Sequence, residues 1–261
     1  SGALSAQGGI DAAGVGDLLF ATDRSNLGGD FDLAGHNIDL KANGGGVSVR
    51  GAMTAANDVR LQTSTGDVAA GDVNAGRDVL LDGVSVSAGA VQAARDIAVR
   101  AQAGGVALAS ASAGDDLVLR ATREIAVTGT ASAQGGTDGA GVGDKLFAID
   151  PTALNGAFDL TGSNIDAKAS GGAISVGGAA TAGRDARFQT TGDGAVGLAA
   201  VSAGRDILAD GAAVTAGGQL SAGGDVALRG RTGAVQLASI SAGDEVAVRG
   251  AGGFSASGVL A

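Results

Sequence analysis

The sequence predicts an all-β solenoid, a parallel β-helix with three short strands in each turn of about 20 residues. Three observations predict it. A short segment recurs at a nearly fixed period, apolar and polar residues alternate inside each recurrence, and the apolar residues are almost all small or β-branched.

The recurring segment is clearest at Ser202-Ala203-Gly204-Arg205-Asp206-Ile207. Variants stand at Asn74-Ala75-Gly76-Arg77-Asp78-Val79, Gln92-Ala93-Ala94-Arg95-Asp96-Ile97 and Ser112-Ala113-Gly114-Asp115-Asp116-Leu117. Two more follow at Ser221 to Val226 and Ser241 to Val246. Its acidic residue falls at 58, 78, 96 and 116, then at 185, 206, 225 and 245, so the steps are 20, 18 and 20, then 21, 19 and 20. Composition agrees with a thin repetitive core. The 261 residues include 49 Gly and six Phe but a single Pro and no Cys, Trp or Tyr. A globular core of that size calls for bulkier side chains.

Within a turn, the first strand is exemplified by Asp96-Ile97-Ala98-Val99-Arg100. Ile97 and Val99 share an inward face, and Asp96, Ala98 and Arg100 share an outward one. A Gly-containing break leads to a second strand, such as Gly105-Val106-Ala107-Leu108 or Ala234-Val235-Gln236-Leu237. A third apolar piece, marked by Val73, Val201 or Ile240, runs into the corner. There the Gly is expected to take a positive φ, and the Asp to close an Asx-type turn on its own downstream backbone. Stacking would bring like carboxylates together, and Arg77, Arg95, Arg184 and Arg205, each beside an acid, are placed to offset them. Twelve or thirteen turns would make a rod on the order of 60 Å long.

A longer repeat overlies the short one. Ser5 to Gly9 returns as Ser132 to Gly136, Gly14 to Phe20 as Gly141 to Phe147, and Asn37-Ile38-Asp39 as Asn164-Ile165-Asp166, an offset of 127. The chain therefore reads as one shaft of two tandem copies, about 5–131 and 132–258, each holding about six turns. It begins and ends in repeat sequence, as a segment of a larger protein would.

The net charge of −10 argues against nucleic acid and anionic membrane surfaces as partners. No apolar run is long enough to insert into a membrane. Without cysteine there are no disulfides or thiolate metal sites, and the nonapeptide pattern of stacked Ca²⁺ sites is missing, so neither metal nor cofactor is expected. Catalysis is not expected either. The one histidine, His36, is matched by Ser163 in the second copy. The adjacent acids Asp115–Asp116 and Asp244–Glu245 would face opposite ways on a strand. A β-helical polysaccharide-active enzyme is the alternative, weakened by the lack of Trp and Tyr platforms.

The period breaks in one place per copy. Asp116 to Asp185 spans 69 residues against about 60 for three regular turns. The excess falls around Gly139 to Gly156, and by the internal repeat around Ala12 to Gly29. Phe20, Phe31, Phe147 and Phe158 cluster there, and Asp150-Pro151 opening and Asn155-Gly156 closing predict a one-turn helix. These segments are either bulges over the rod or ligand-contact loops. In the second case the candidate contact residues are Phe20, Asp23, Phe147, Asp150 and Leu154.

The Cys-free, glycine-rich turns ending in Ala-Gly-Arg-Asp-(Val/Ile) resemble filamentous haemagglutinin repeats, most closely over residues 74–120 and 202–249. The resemblance implies a right-handed parallel β-helix in a large exoprotein of Gram-negative two-partner secretion. Such a protein passes a dedicated outer-membrane transporter and is secreted or displayed at the cell surface. Members act as adhesins toward a host-cell or neighbouring-cell receptor or glycan, or as the stick that carries a toxin in contact-dependent inhibition. The integrin-type Arg-Gly-Asp is absent, Arg229-Gly230-Arg231 and Arg249-Gly250-Ala251 departing from it.

Overall fold

Short alternating strands are stable only when neighbouring strands take up their backbone groups and a facing sheet covers their apolar side. The computed structural model, which describes residues 4–6, 37–135 and 163–261, meets both needs by stacking. Among the described residues every regular element is a strand, and the strands pair in parallel within two sheets.

Ten five-residue strands, from Ile38–Ala42 to Val246–Gly250, form the first sheet. Each pairs in register with its equivalent one turn away, as in Ile97↔Leu117 and Ile97↔Val79. The second sheet has fourteen strands. In some turns it holds two three-residue strands, such as Val47–Val49 with Met53–Ala55. In others these fuse into one long strand, such as Val106–Ala113 or Val214–Ala222. Three strands per turn thus become two wherever the bend between the second and third stays within the ladder. Register shifts mark the bend, for example between Ala216 and Gln219.

The first sheet counts the turns. There are ten among the described residues, a stack of about 43 Å at ~4.8 Å per step. Among the described residues each copy contributes five. Leu117–Ala121 pairs directly with Ile165–Ala169, which carries this sheet from the first copy into the second.

The core is one aliphatic column between the sheets, built from Val79, Leu81, Ile97, Val99, Leu117, Leu119, Ile125, Ile174, Val226, Val235 and their neighbours. Among the described residues its one phenylalanine, Phe188, is fully buried and lies in register between Ala167 and Ala209. The first copy fills the same three places with Leu40, Leu61 and Leu81. One column is large between two small; the other is three leucines, of which Leu40 is only partly buried.

Two expectations about the turn need correction. The outward face is not solvent along most of its length: Asp96 and Ala98 are both 0 % exposed, and Arg60, Leu80, Val118 and Arg187 at the same row are also buried, whereas Asp225, Arg229, Glu245, Ala247 and Arg249 in the last turns are exposed. The corner glycines also have no positive φ, since among the described residues the positive-φ glycines are Gly45, Gly135 and Gly253. Glycine serves the corner through close approach. A Cβ on Gly76 would stand 1.9 Å from the carbonyl oxygen of Ala56 in the turn below, and one on Gly114 would stand 1.9 Å from that of Ala94.

Candidate functional site

A buried face that carries charge must pair that charge. The pairing organises three rows of side chains along the first sheet.

The first row is the corner acid. Its carboxylate does not close an Asx turn on its own backbone; Oδ1 accepts the backbone N–H of the equivalent residue one turn on. Asp78 N–H donates to Asp58 Oδ1 at 3.1 Å, Asp96 N–H to Asp78 at 3.2 Å, and Asp116 N–H to Asp96 at 3.0 Å. Asn164 N–H then donates to Asp116 at 3.0 Å and Asp185 N–H to Asn164 Oδ1 at 3.1 Å. The ladder runs from Asn37, which accepts from Asp58 at 2.9 Å, to Glu245, which donates to Asp225 at 3.0 Å.

The arginines offset the stacked acids, but across turns. Arg77 forks onto Asp58, Arg95 onto Asp78 and Arg205 onto Asp185, with Nε to Oδ1 at 2.8, 2.9 and 2.7 Å and Nη2 closing on Oδ2. The scheme lapses at Asp96, because the next turn carries Asp115 where arginine would stand. Asp96 Oδ2 is buried without a hydrogen bond, Arg95 Nε lying 3.7 Å away. Burial first, then the Asp78 and Asp115 carboxylates, push Asp96 up to about 7. Burial likewise raises Asp58, against the pull of Arg77.

The second row places Asp39 against Arg60 and Asp166 against Arg187, Nε to Oδ1 being 2.6 Å in both. Asp166 also takes Arg120, from the last turn of the first copy, which bonds the Asp166 carbonyl at 2.9 Å and the carboxylate besides. Burial alone would raise Asp166, yet the two guanidiniums hold it below the usual carboxylate value. Lys168 beside them is lowered by burial and then by the same two arginines. This cluster ties the second copy to the first.

The third row reads Lys41, Gln62, Asp82, Arg100, Arg120 and then repeats as Lys168, Gln189, Asp210, Arg229, Arg249, in register throughout. Asp82 and Asp210 are the hubs. Arg100 forks onto Asp82 at 3.0 and 2.6 Å, and Arg229 forks onto Asp210 with Nε at 3.1 Å. These hydrogen bonds raise both arginines. A cleft of about 310 Å³ opens beside the first hub, lined among others by Lys41, Gln62, Thr63, Asp82, Arg100 and Gln102.

Chemically, these rows are occupied in holding the turns together. No group of three or more His, Asp or Glu among the described residues is placed to hold a metal ion. The loop residues singled out from sequence, Phe20, Asp23, Phe147, Asp150 and Leu154, and also His36, lie outside the described residues. Ser163, the counterpart of His36, is buried and donates weakly to Asp115 Oδ1 at 3.4 Å.

Fold and rows together define a parallel β-solenoid whose turns are tied by side-chain ladders along one sheet. Comparison with protein-family models, with curated proteins and with solved structures found no match.

Sequence reasoning missed Asn37 and Asn164 as ladder members, because they break the acidic pattern and the interval from 116 to 164 is stretched to 48 residues. The signal was their place directly before an Ile-Asp pair in both copies. The duplicated Lys-Gln-Asp-Arg-Arg row was visible only across turns.

Proposed function

We propose that the chain is a structural and adhesive shaft, a segment of a large filamentous-haemagglutinin-like exoprotein held at or shed from a bacterial surface. The observation that carries this reading is the unbroken corner ladder from Asn37 to Glu245, which passes through the junction of the two copies without losing a step. A column in which every turn is tied to the next by backbone pairing, an Asp or Asn side-chain rung and, at several turns, an arginine fork suits a part that spans distance and bears load. Export through a two-partner-secretion transporter, and contact with a host-cell or neighbouring-cell receptor or glycan, belong to the same reading. So does the absence of catalysis, of nucleic-acid binding and of membrane insertion.

Carriage of a toxin in contact-dependent inhibition is a second use of the same shaft. Pulling the chain end to end by atomic force microscopy tests the shaft directly. It should lengthen in steps of about 65 Å, one turn of about 20 residues at a time. One cooperative rupture at low force would contradict it. Deleting Asp150 to Gly156 tests adhesion: lost cell binding with unchanged circular dichroism supports contact through that loop, and retained binding removes it.

A further inference from the structure

Beside the hub acid the two copies differ at one position, Gln102 in the first and Arg231 in the second. In the second copy Arg231 reaches over two turns and fills the place beside Asp210. Its Nη1 donates to Asp210 Oδ1 at 2.9 Å and to the Thr190 carbonyl at 2.5 Å. Its Nη2 donates to Thr190 Oγ1 at 3.1 Å and to the Gly192 carbonyl. Asp210 therefore holds two guanidiniums, those of Arg229 and Arg231. Asp166 does the same with Arg120 and Arg187.

In the first copy the residue at that place is Gln102, shorter and uncharged. Its Nε2 reaches the same two acceptors, Asp82 Oδ1 at 2.9 Å and the Thr63 carbonyl at 3.3 Å. Asp82 then carries one guanidinium, that of Arg100, with the amides of Gln102 and, at 3.3 Å, Gln62. Gln62 is 8 % exposed, and its buried Oε1 has no hydrogen-bond partner. Gln189 Oε1, its counterpart, also lacks a partner although Arg231 is in place. Space, carboxylate and carbonyl acceptor thus stand together where the sister copy places a guanidinium.

We propose that the cleft of the first copy binds a guanidinium group from outside the fold. The source is either a free small guanidinium compound or an arginine side chain presented by a partner. The cleft lining sets Asp82 beside Lys41 and Arg100, so a further cation is held there by hydrogen-bond geometry, as Asp210 holds Arg229 and Arg231 together. The inference is independent of the shaft reading, since it rests on the comparison of two copies within one chain.

The test titrates the whole chain with agmatine, with N-carbamoylputrescine, in which a urea replaces the guanidinium, and with a short peptide holding one arginine. The side-chain amide resonances of Gln62 and Gln102 report occupancy by NMR. Agmatine or the peptide should saturate at one equivalent, and the urea analogue should bind at least about tenfold more weakly. Gln102→Arg, which copies the second hub, should abolish binding; Arg231→Gln, which copies the first, should raise the stoichiometry from one to two. Tighter binding of the peptide than of agmatine assigns the site to a partner's arginine, and the reverse assigns it to a small molecule. Equal binding of the urea analogue, undiminished binding by the Gln102→Arg chain, or no saturable shift at the two glutamines would each overturn the proposal.

Discussion

Arg77 forks onto Asp58, one turn below, and lies only within looser ion-pair reach of Asp78, its neighbour in the chain. Its Nε lies 2.8 Å from Asp58 Oδ1 and 3.5 Å from Asp78 Oδ2. The geometry follows from the ladder. Asp58 Oδ1 is already aimed up the stack at the backbone of Asp78, so the arginine one residue earlier meets the same carboxylate edge-on. A carboxylate that would repel its stacked neighbours is thereby tied to the next turn by a guanidinium fork and a backbone N–H.

Arg77→Ala should destabilise the chain by about 1.5–3 kcal/mol, because Asp58 loses a charged double hydrogen bond while remaining fully buried. Arg77→Lys should recover only part of the loss, a point charge replacing a planar fork. Denaturant titration of the three chains checks the order.

Asp96 sets a pH dependence. Its folded value of about 7 stands above the ordinary 3.8, so the native state holds this proton more tightly than the unfolded chain does. The contribution of Asp96 to stability is therefore fullest below pH 3.8, declines as pH rises toward 7, and stays flat above. Asp96→Asn keeps the Oδ1 acceptor for Asp116 N–H, as Asn37 and Asn164 do at their own steps. The variant should match the parent chain near pH 4 and exceed it by about 1–4 kcal/mol at pH 8. A constant difference across that range would contradict the assignment.

The phenylalanine column predicts non-additivity. Phe188→Ala should cost about 3–5 kcal/mol as a buried cavity, and Ala209→Leu alone about 1–3 kcal/mol through overpacking. The triple change Ala167→Leu, Phe188→Leu and Ala209→Leu rebuilds the leucine column of the first copy and should cost less than the sum of its parts, because the space freed at Phe188 takes up part of what the two leucines add. A triple variant as unstable as the sum of its parts would show that the two columns occupy different spaces.

Gly114→Ala forces a Cβ to 1.9 Å from the Ala94 carbonyl oxygen and should cost about 1–3 kcal/mol or more. Gly217, with nothing within 4 Å of its added Cβ, is the control, and Gly217→Ala should stay within about 0.5 kcal/mol of the parent. Thermal melting of the two chains separates close approach from a general intolerance of alanine.

The fold was legible because period and alternation are local properties: the residues from Asp96 to Val99 state both strand and inward face. The reach of the corner was not. An Asx turn and an inter-turn rung use the same aspartate with the same flanking glycine, and only stacking decides which backbone N–H comes within range. The corner glycine was assigned for its φ when its duty is to admit the carbonyl of the turn below. The third row escaped for a related reason: Gln62, Asp82 and Gln102 converge from three separate turns, and nothing in their own sequence neighbourhoods announces it. Their meaning came from setting one copy beside the other.

The central claim is that the corner acids form rungs between turns. Amide hydrogen exchange reads it most directly, at Asp58, Asp78, Asp96, Asp116, Asn164, Asp185 and Asp206. Each lies outside the strands and each amide is committed to the turn below. The account predicts protection comparable to that of the strand amides, at least about a thousandfold over free peptide, and its selective loss at Asp78 in an Asp58→Ala chain. Exchange at these corners as fast as in open turns, or Asp78 protection unchanged by that substitution, would contradict it.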